Sequence, residues 1–155
     1  HTWRNRSAKN AQLMRIKKYI MDELAQQLPA QTYREYLENP TKYAAMPVYV
    51  VFISLPTANY LPNTIFLSFV RNKEPLMCNV NLKKCLEKNN IIVSVGSACN
   101  TASSKASHVL DAIGADMFIK KGALRISMPD DMTKEMASEF IKKIVEIVNE
   151  CVVAK

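Results

Sequence analysis

The sequence predicts an α+β domain in which helices pack on a small sheet. Apolar residues recur at helical spacing near both ends of the chain, over residues 6–28 and again after Thr133. Short runs rich in β-branched and aromatic residues lie between these helices. Too few of these strands follow one another through helices to require a doubly wound sheet. An α+β sandwich is therefore the class that the pattern favours.

The first third of the chain predicts one long helix and then two strands. The helix over residues 6–28 has basic and amide residues between the members of its apolar stripe, which are Leu13, Ile16, Ile20 and Leu24. Pro29 ends the helix, and residues 33–47 predict an irregular connection with a short helix. Strands follow at 48–55 and 64–70, and the second places on one face Ile65, Leu67 and Phe69.

The remaining chain alternates helices and strands. A short helix at 79–89 precedes a strand at 91–95, which runs directly into a Gly-Ser break. A helix at 107–113 closes on Gly114, a typical C-terminal cap, and the last strand covers 123–128. Thr133 is suited to cap the final helix, whose apolar stripe is Met136, Phe140, Ile144, Ile147 and Val148.

Charge and composition exclude several classes of function. The formal net charge is +7, but the basic residues are spread along helices and are not interleaved with aromatic residues. This pattern predicts a solvated basic surface and no nucleic-acid partner. The longest apolar run, at 47–55, is interrupted by Ser54 and is far shorter than the roughly 20 residues of a membrane span. The first residues are polar and basic, so no secretory signal is expected.

The four cysteines lack the spacing of a metal site. None forms a Cys-x-x-Cys pair and no histidine pair accompanies them, so no metal is expected. Unpatterned thiols are typical of a reducing compartment. The expected location is the cytoplasm, with an organelle matrix as the alternative.

Cys99 follows a strand and lies in a loop of small residues. Gly96 permits a sharp turn, and the adjacent Ser97 and Ala98 leave space around the sulfur. A thiol near the start of a following helix is favoured as the thiolate, which is the reactive form. The loop alone does not separate a reactive thiol from an inert structural one. His108 stands too far along the chain to ensure a Cys-His pair.

Four short motifs occur in order across the chain. They are LPNT at 61–64 with LSF at 67–69, SVGSACNTA at 94–102, SHVLDAIG at 107–114, and LRIS at 124–127. Together they resemble the C-terminal, small domain of the NifS/IscS-type, group I cysteine desulfurases, which belong to the class V aminotransferase superfamily. The resemblance implies the small domain of a fold-type I pyridoxal-phosphate enzyme. Residues 1–30 would be the helix connecting it to a large domain, and residues 31–155 the small domain.

The resemblance also implies an activity and a role for particular residues. Such enzymes convert L-cysteine to L-alanine and hold the released sulfur as a persulfide on the loop cysteine, which corresponds to Cys99. Gly96, Ser97 and Ala98 would support that loop. Arg125 corresponds to the arginine that binds the substrate carboxylate, and Asn63 to a residue that shapes the substrate site.

Pyridoxal phosphate is expected to be bound mainly by the large domain. The family's Schiff-base lysine stands in a Ser-x-His-Lys motif, and this chain contains no His-Lys pair. The 155 residues alone are therefore expected to be inactive. The resemblance implies L-cysteine as substrate, a sulfur acceptor such as an iron–sulfur scaffold or a thiolation relay, and a homodimer of the complete protein.

One departure from the family's motifs lies beside Arg125. Met128 and Pro129 follow the LRIS strand where the family commonly has a glycine, which affects the backbone near Arg125.

Two other functions remain open. One alternative is a catalytically incomplete domain that relays sulfur or docks partners. Another is a divergent homologue that has kept the cysteine and lost catalysis.

Overall fold

The computed structural model of the 155-residue chain describes residues 2–57, 61–71, 74–75, 79–88, 93–95 and 123–153. The helices are α1 (Thr2–Gln27), α2 (Tyr33–Glu38), α3 (Asn79–Lys88) and α4 (Lys134–Val153). The strands are β1 (Ala30–Thr32), β2 (Tyr49–Phe52), β3 (Thr64–Arg71), β4 (Glu74–Pro75), β5 (Val93–Val95) and β6 (Ala123–Ser127).

These strands form one mixed sheet in the order β1-β2-β3-β6-β5. β1 and β2 are parallel, and the other neighbours are antiparallel. The short β4 pairs with the end of β3, at Val70 and Arg71, beyond the segment that β6 covers. Helices packed on this small sheet confirm the α+β prediction.

One face of the sheet packs against α1 and α4. The predicted stripe of α1 is buried there, and so are the three β3 residues predicted to share a face, Ile65, Leu67 and Phe69. The hydroxyls of Tyr19 and Ser138 lie 2.8 Å apart and join α1 to α4. Burying each such apolar side chain contributes about 1.5–3 kcal/mol to the stability of the fold.

Within the described residues, the opposite face is covered only in part. Tyr33 and Tyr36 of α2 pack over β2 and β3 in a second apolar cluster. A capping box starts α2, in which the Thr32 hydroxyl accepts from the Glu35 amide at 3.1 Å and the Glu35 carboxylate accepts from the Thr32 amide at 3.1 Å. On β6 this cover reaches Ala123, whereas Arg125 and Ser127 on the same face are exposed.

Several predicted details differ from the structure. β3 is buried on both faces, because the α2 segment covers the side that the alternating pattern left to solvent. That segment was expected to be mainly irregular, and β1 and β4 were not predicted. Thr133 does cap α4, since its hydroxyl accepts from the Met136 amide at 3.1 Å. The prediction that Met136 belongs to the buried stripe is wrong, because its side chain is 42% exposed.

Other predictions concern residues outside the described ranges. They include the helix at 107–113, its Gly114 cap and the first part of the strand at 91–95. Across the described residues, none of the helices is both long and apolar enough to traverse a bilayer.

Candidate functional site

Arg125 lies in the middle of β6, with a neighbouring strand on each side. Its Cα is opposite that of Phe66 on β3 and that of Ser94 on β5. The two residues that flank it in β6, Leu124 and Ile126, are buried in the main core. Arg125 therefore points to the opposite face, where its side chain is exposed. Strand pairing on both sides makes this a rigid position for a functional group.

The surroundings of Arg125 suit a small anionic ligand. The neighbouring residues on this face are the apolar Phe66 and the small Ala123. Ser127, two residues further along β6, is exposed. A guanidinium presents its N–H groups in a planar fork that matches a carboxylate with two parallel hydrogen bonds. Arg125 can therefore bind a carboxylate in the place that the α2 segment leaves uncovered.

Asn63 lies in the turn that enters β3, beyond the last β3–β6 pair. Its carboxamide oxygen accepts from the Thr64 hydroxyl at 3.2 Å, and its main-chain oxygen accepts from the Met128 amide at 2.7 Å. Asn63 is three positions before Phe66, which pairs with Arg125, and three residue steps correspond to about 10 Å of strand. The structure places Asn63 and Arg125 on one ladder but not side by side. Their shared role in substrate binding stays a prediction.

The predicted nucleophile Cys99 and its supporting residues Gly96, Ser97 and Ala98 lie outside the described residues. The structure does describe the strand that leads to them. β5 ends at Val95, whose Cα is opposite that of Leu124, one residue beyond the Ser94–Arg125 pair. The strand next to Arg125 therefore leads directly into the sequence that contains Cys99.

Lys17 is a functional candidate that was not predicted from the sequence. It was expected on the solvated basic surface, and this expectation is wrong, because the side chain is 0% exposed. Lys17 stands four residues after Leu13 and three before Ile20, which places it on the apolar stripe of α1. That spacing was the available signal. Its Nζ donates a hydrogen bond to the Leu61 carbonyl at 3.0 Å.

The burial of Lys17 makes the stability of the chain depend on pH. Desolvation of the ammonium lowers the pKa of Lys17 from 10.5 to about 8. The unfolded chain then binds more protons than the folded chain between these values, so stability rises with pH in that window. Relative to a Lys17→Met variant, we expect the wild-type free energy of unfolding to rise by about 2 kcal/mol between pH 7 and pH 9.5. Urea unfolding of both proteins across this range measures the difference, and a constant difference would contradict the burial of a charged Lys17.

A groove lies beside the end of β6. This groove of about 780 Å³ is bordered by Ile126 and Ser127 of β6 but not by Arg125, and its other main lining residues are Met128, Met132, Met136 and Phe140. It opens at the start of α4, on the side of the main core. Arg125 is not among the residues that line this groove.

The residues of this chain do not by themselves fit pyridoxal phosphate. A site for it requires a Schiff-base lysine and an acidic partner for the ring nitrogen. The two histidines, His1 and His108, are followed by threonine and valine, so the Ser-x-His-Lys motif is absent from the sequence. Among the described residues, no group of three or more histidine, cysteine or acidic side chains is placed to hold a metal ion.

Two cysteine desulfurases are similar to this chain in sequence. IscS of Dictyoglomus turgidum is 31% identical over 100 residues, which are 62% of this chain and 24% of that protein. IscS of Methanosarcina thermophila is 40% identical over 63 residues, which are 41% of this chain and 16% of that protein. The chain thus spans about a quarter or less of the length of these curated relatives.

A solved structure of a NifS-like protein has a similar fold. It superposes with a TM-score of 0.56 and 26% sequence identity, covering 90% of this chain and 29% of the NifS-like chain. No family model matches the sequence.

Proposed function

Because this chain is related to the NifS/IscS-type cysteine desulfurases and resembles their C-terminal region, we propose that the complete protein is a cysteine desulfurase. It would convert L-cysteine to L-alanine and deliver the sulfur to iron–sulfur clusters or to thiolation. The observation that carries the proposal is the position of Arg125, exposed on the strand that pairs with the strand leading to Cys99.

The two proposed functional residues are close enough in the chain to serve one substrate. Cys99 is four positions after Val95 in the chain, and four extended residue steps span at most about 14 Å. Val95 pairs with the residue preceding Arg125. A cysteine whose carboxylate is bound by Arg125 is therefore within the range that Cys99 can reach. Asn63 contributes from the turn before β3.

Each residue has a defined part in the proposed reaction. The Cys99 thiolate attacks the substrate sulfur, and a sulfur–sulfur bond forms as the substrate carbon–sulfur bond breaks with its electron pair on carbon. That carbon takes up a proton and leaves as alanine, while Cys99 keeps the sulfur as a persulfide. Pyridoxal phosphate would be bound mainly by the rest of the protein, and it would supply an electron sink for the negative charge on the substrate carbon. Gly96, Ser97 and Ala98 give the loop room to carry the sulfur to an acceptor.

The first test is the activity of the complete protein. Supplied with pyridoxal phosphate and L-cysteine, it should release alanine and, with a thiol reductant, sulfide in equal amounts. The acceptor would be a protein such as an iron–sulfur scaffold, and the complete enzyme a homodimer. Absence of both products from the cofactor-loaded protein would refute the proposal. The comparisons name desulfurases and do not favour the sulfur-relay alternative.

A further inference from the structure

A buried lysine connects α1 to the turn that carries Asn63. The Lys17 side chain is fully buried, and its Nζ donates to the Leu61 carbonyl at 3.0 Å, although the two residues are 44 positions apart in the chain. Burying an ammonium is costly unless specific acceptors compensate it, and lysines are rarely buried without them. A Leu or Met would satisfy the core at this position without that cost. The bond to Leu61 is a contact that a lysine makes here and that an apolar side chain cannot make.

The same turn is held from a second side by β6. The Met128 amide donates to the Asn63 carbonyl at 2.7 Å, which continues the β3–β6 ladder past its last pair. Within the turn, the Thr64 amide donates to the Leu61 carbonyl at 3.4 Å. The Leu61 oxygen thus accepts from both α1 and the start of β3. The turn is fixed between the helix and the strand that carries Arg125.

We propose that Lys17 is a positioning residue, which sets the place of the Asn63 turn relative to the Arg125 strand by holding the Leu61 carbonyl. This inference rests on the proposed desulfurase function. Lys17 acts through the turn and not on the reacting atoms. Because α1 is a single helix of 26 residues, the bond also makes the position of the turn depend on the position of that helix. A displacement of the turn by about 1 Å is enough to change substrate binding substantially.

Hydrogen exchange on the complete protein tests the positioning directly. Lys17→Met preserves most of the apolar volume and removes the donor. We expect amide exchange at Thr64 and Met128 to rise by about tenfold, with no change in the amides of β2 or α4. The matched control is Lys18→Met, since the neighbouring Lys18 is exposed and pairs only with Asp22 at 2.7 Å among the contacts described for it. Lys18→Met should leave exchange at the turn unchanged.

Kinetics supply the second measurement. Lys17→Met should raise KM for L-cysteine by about tenfold and change kcat less, and Lys17→Arg, which keeps a donor, should restore part of the loss. Unchanged exchange at Thr64 and Met128, or a rise shared by all strands, would overturn the inference. If Lys17→Met does not fold, Lys17→Leu carries the same comparison, because it also removes the donor. A wild type without desulfurase activity would refute the proposed function, whereas the exchange result would still decide whether Lys17 holds the turn.

Discussion

In the complete protein, Cys99→Ala is expected to lower the rate of sulfide and alanine production from L-cysteine by at least about 1,000-fold. Without the thiol no sulfur–sulfur bond forms, and the carbon–sulfur bond of the substrate has no acceptor for its sulfur. The rate of alanine formation under cofactor saturation measures the loss. Substrate affinity should change little, because Cys99 is proposed to act on the sulfur and not on the carboxylate.

Cys85→Ala is the matched control for this variant. Cys85 lies on α3, is half-buried against the main core and is not in a disulfide. Its replacement removes a thiol from the same domain, so activity should stay within about twofold of the wild type. Full activity in Cys99→Ala, or an equal loss in both variants, would contradict the assignment of the nucleophile.

Arg125→Ala is expected to lower kcat/KM for L-cysteine by about 100- to 1,000-fold. A guanidinium–carboxylate pair makes two charge-assisted hydrogen bonds, and the loss of about 3–4 kcal/mol corresponds to that factor. The free energy of unfolding should change by less than about 0.5 kcal/mol, because the side chain is exposed on the uncovered face of the sheet. Steady-state kinetics and urea unfolding of the same preparation separate the two effects.

Two variants and one substrate analogue serve as controls for Arg125. Arg125→Lys keeps the charge but loses the fork, so it should recover only part of kcat/KM. Ser127→Ala changes an exposed residue on the same face of the same strand and should be near neutral. Cysteamine lacks the carboxylate, so wild type and Arg125→Ala should process it equally. A loss with cysteamine as large as the loss with L-cysteine, or larger, would contradict carboxylate binding.

Hydrophobic periodicity predicted the faces on which apolar residues recur at regular spacing. The α1 stripe and the Ile65, Leu67 and Phe69 face of β3 are both buried in the main core. The second face of β3 could not be predicted in the same way. Its cover comes from the tyrosines of α2, which stand in a polar segment without periodicity, and their burial depends on contacts between distant parts of the chain.

The sequence predicted which residues belong to the candidate site but not how they are arranged in space. Short motifs identified Arg125 and Asn63, yet their separation along the ladder follows from the β3–β6 register, which no single motif specifies. Lys17 was wrongly assigned to the solvated surface, because the prediction relied on its charge and not on its position on the apolar stripe. Whether a lysine at such a position is buried depends on an acceptor such as the Leu61 carbonyl, which only the folded chain brings near.

The central claim is that Cys99 carries the sulfur. Mass spectrometry of the complete, cofactor-loaded protein after L-cysteine and an alkylating trap measures this directly. The peptide that contains Cys99 should carry one additional sulfur atom, and the peptides that contain Cys78, Cys85 and Cys151 should not. Release of alanine while the Cys99 peptide stays unmodified, or with the extra sulfur on another cysteine, would contradict the claim.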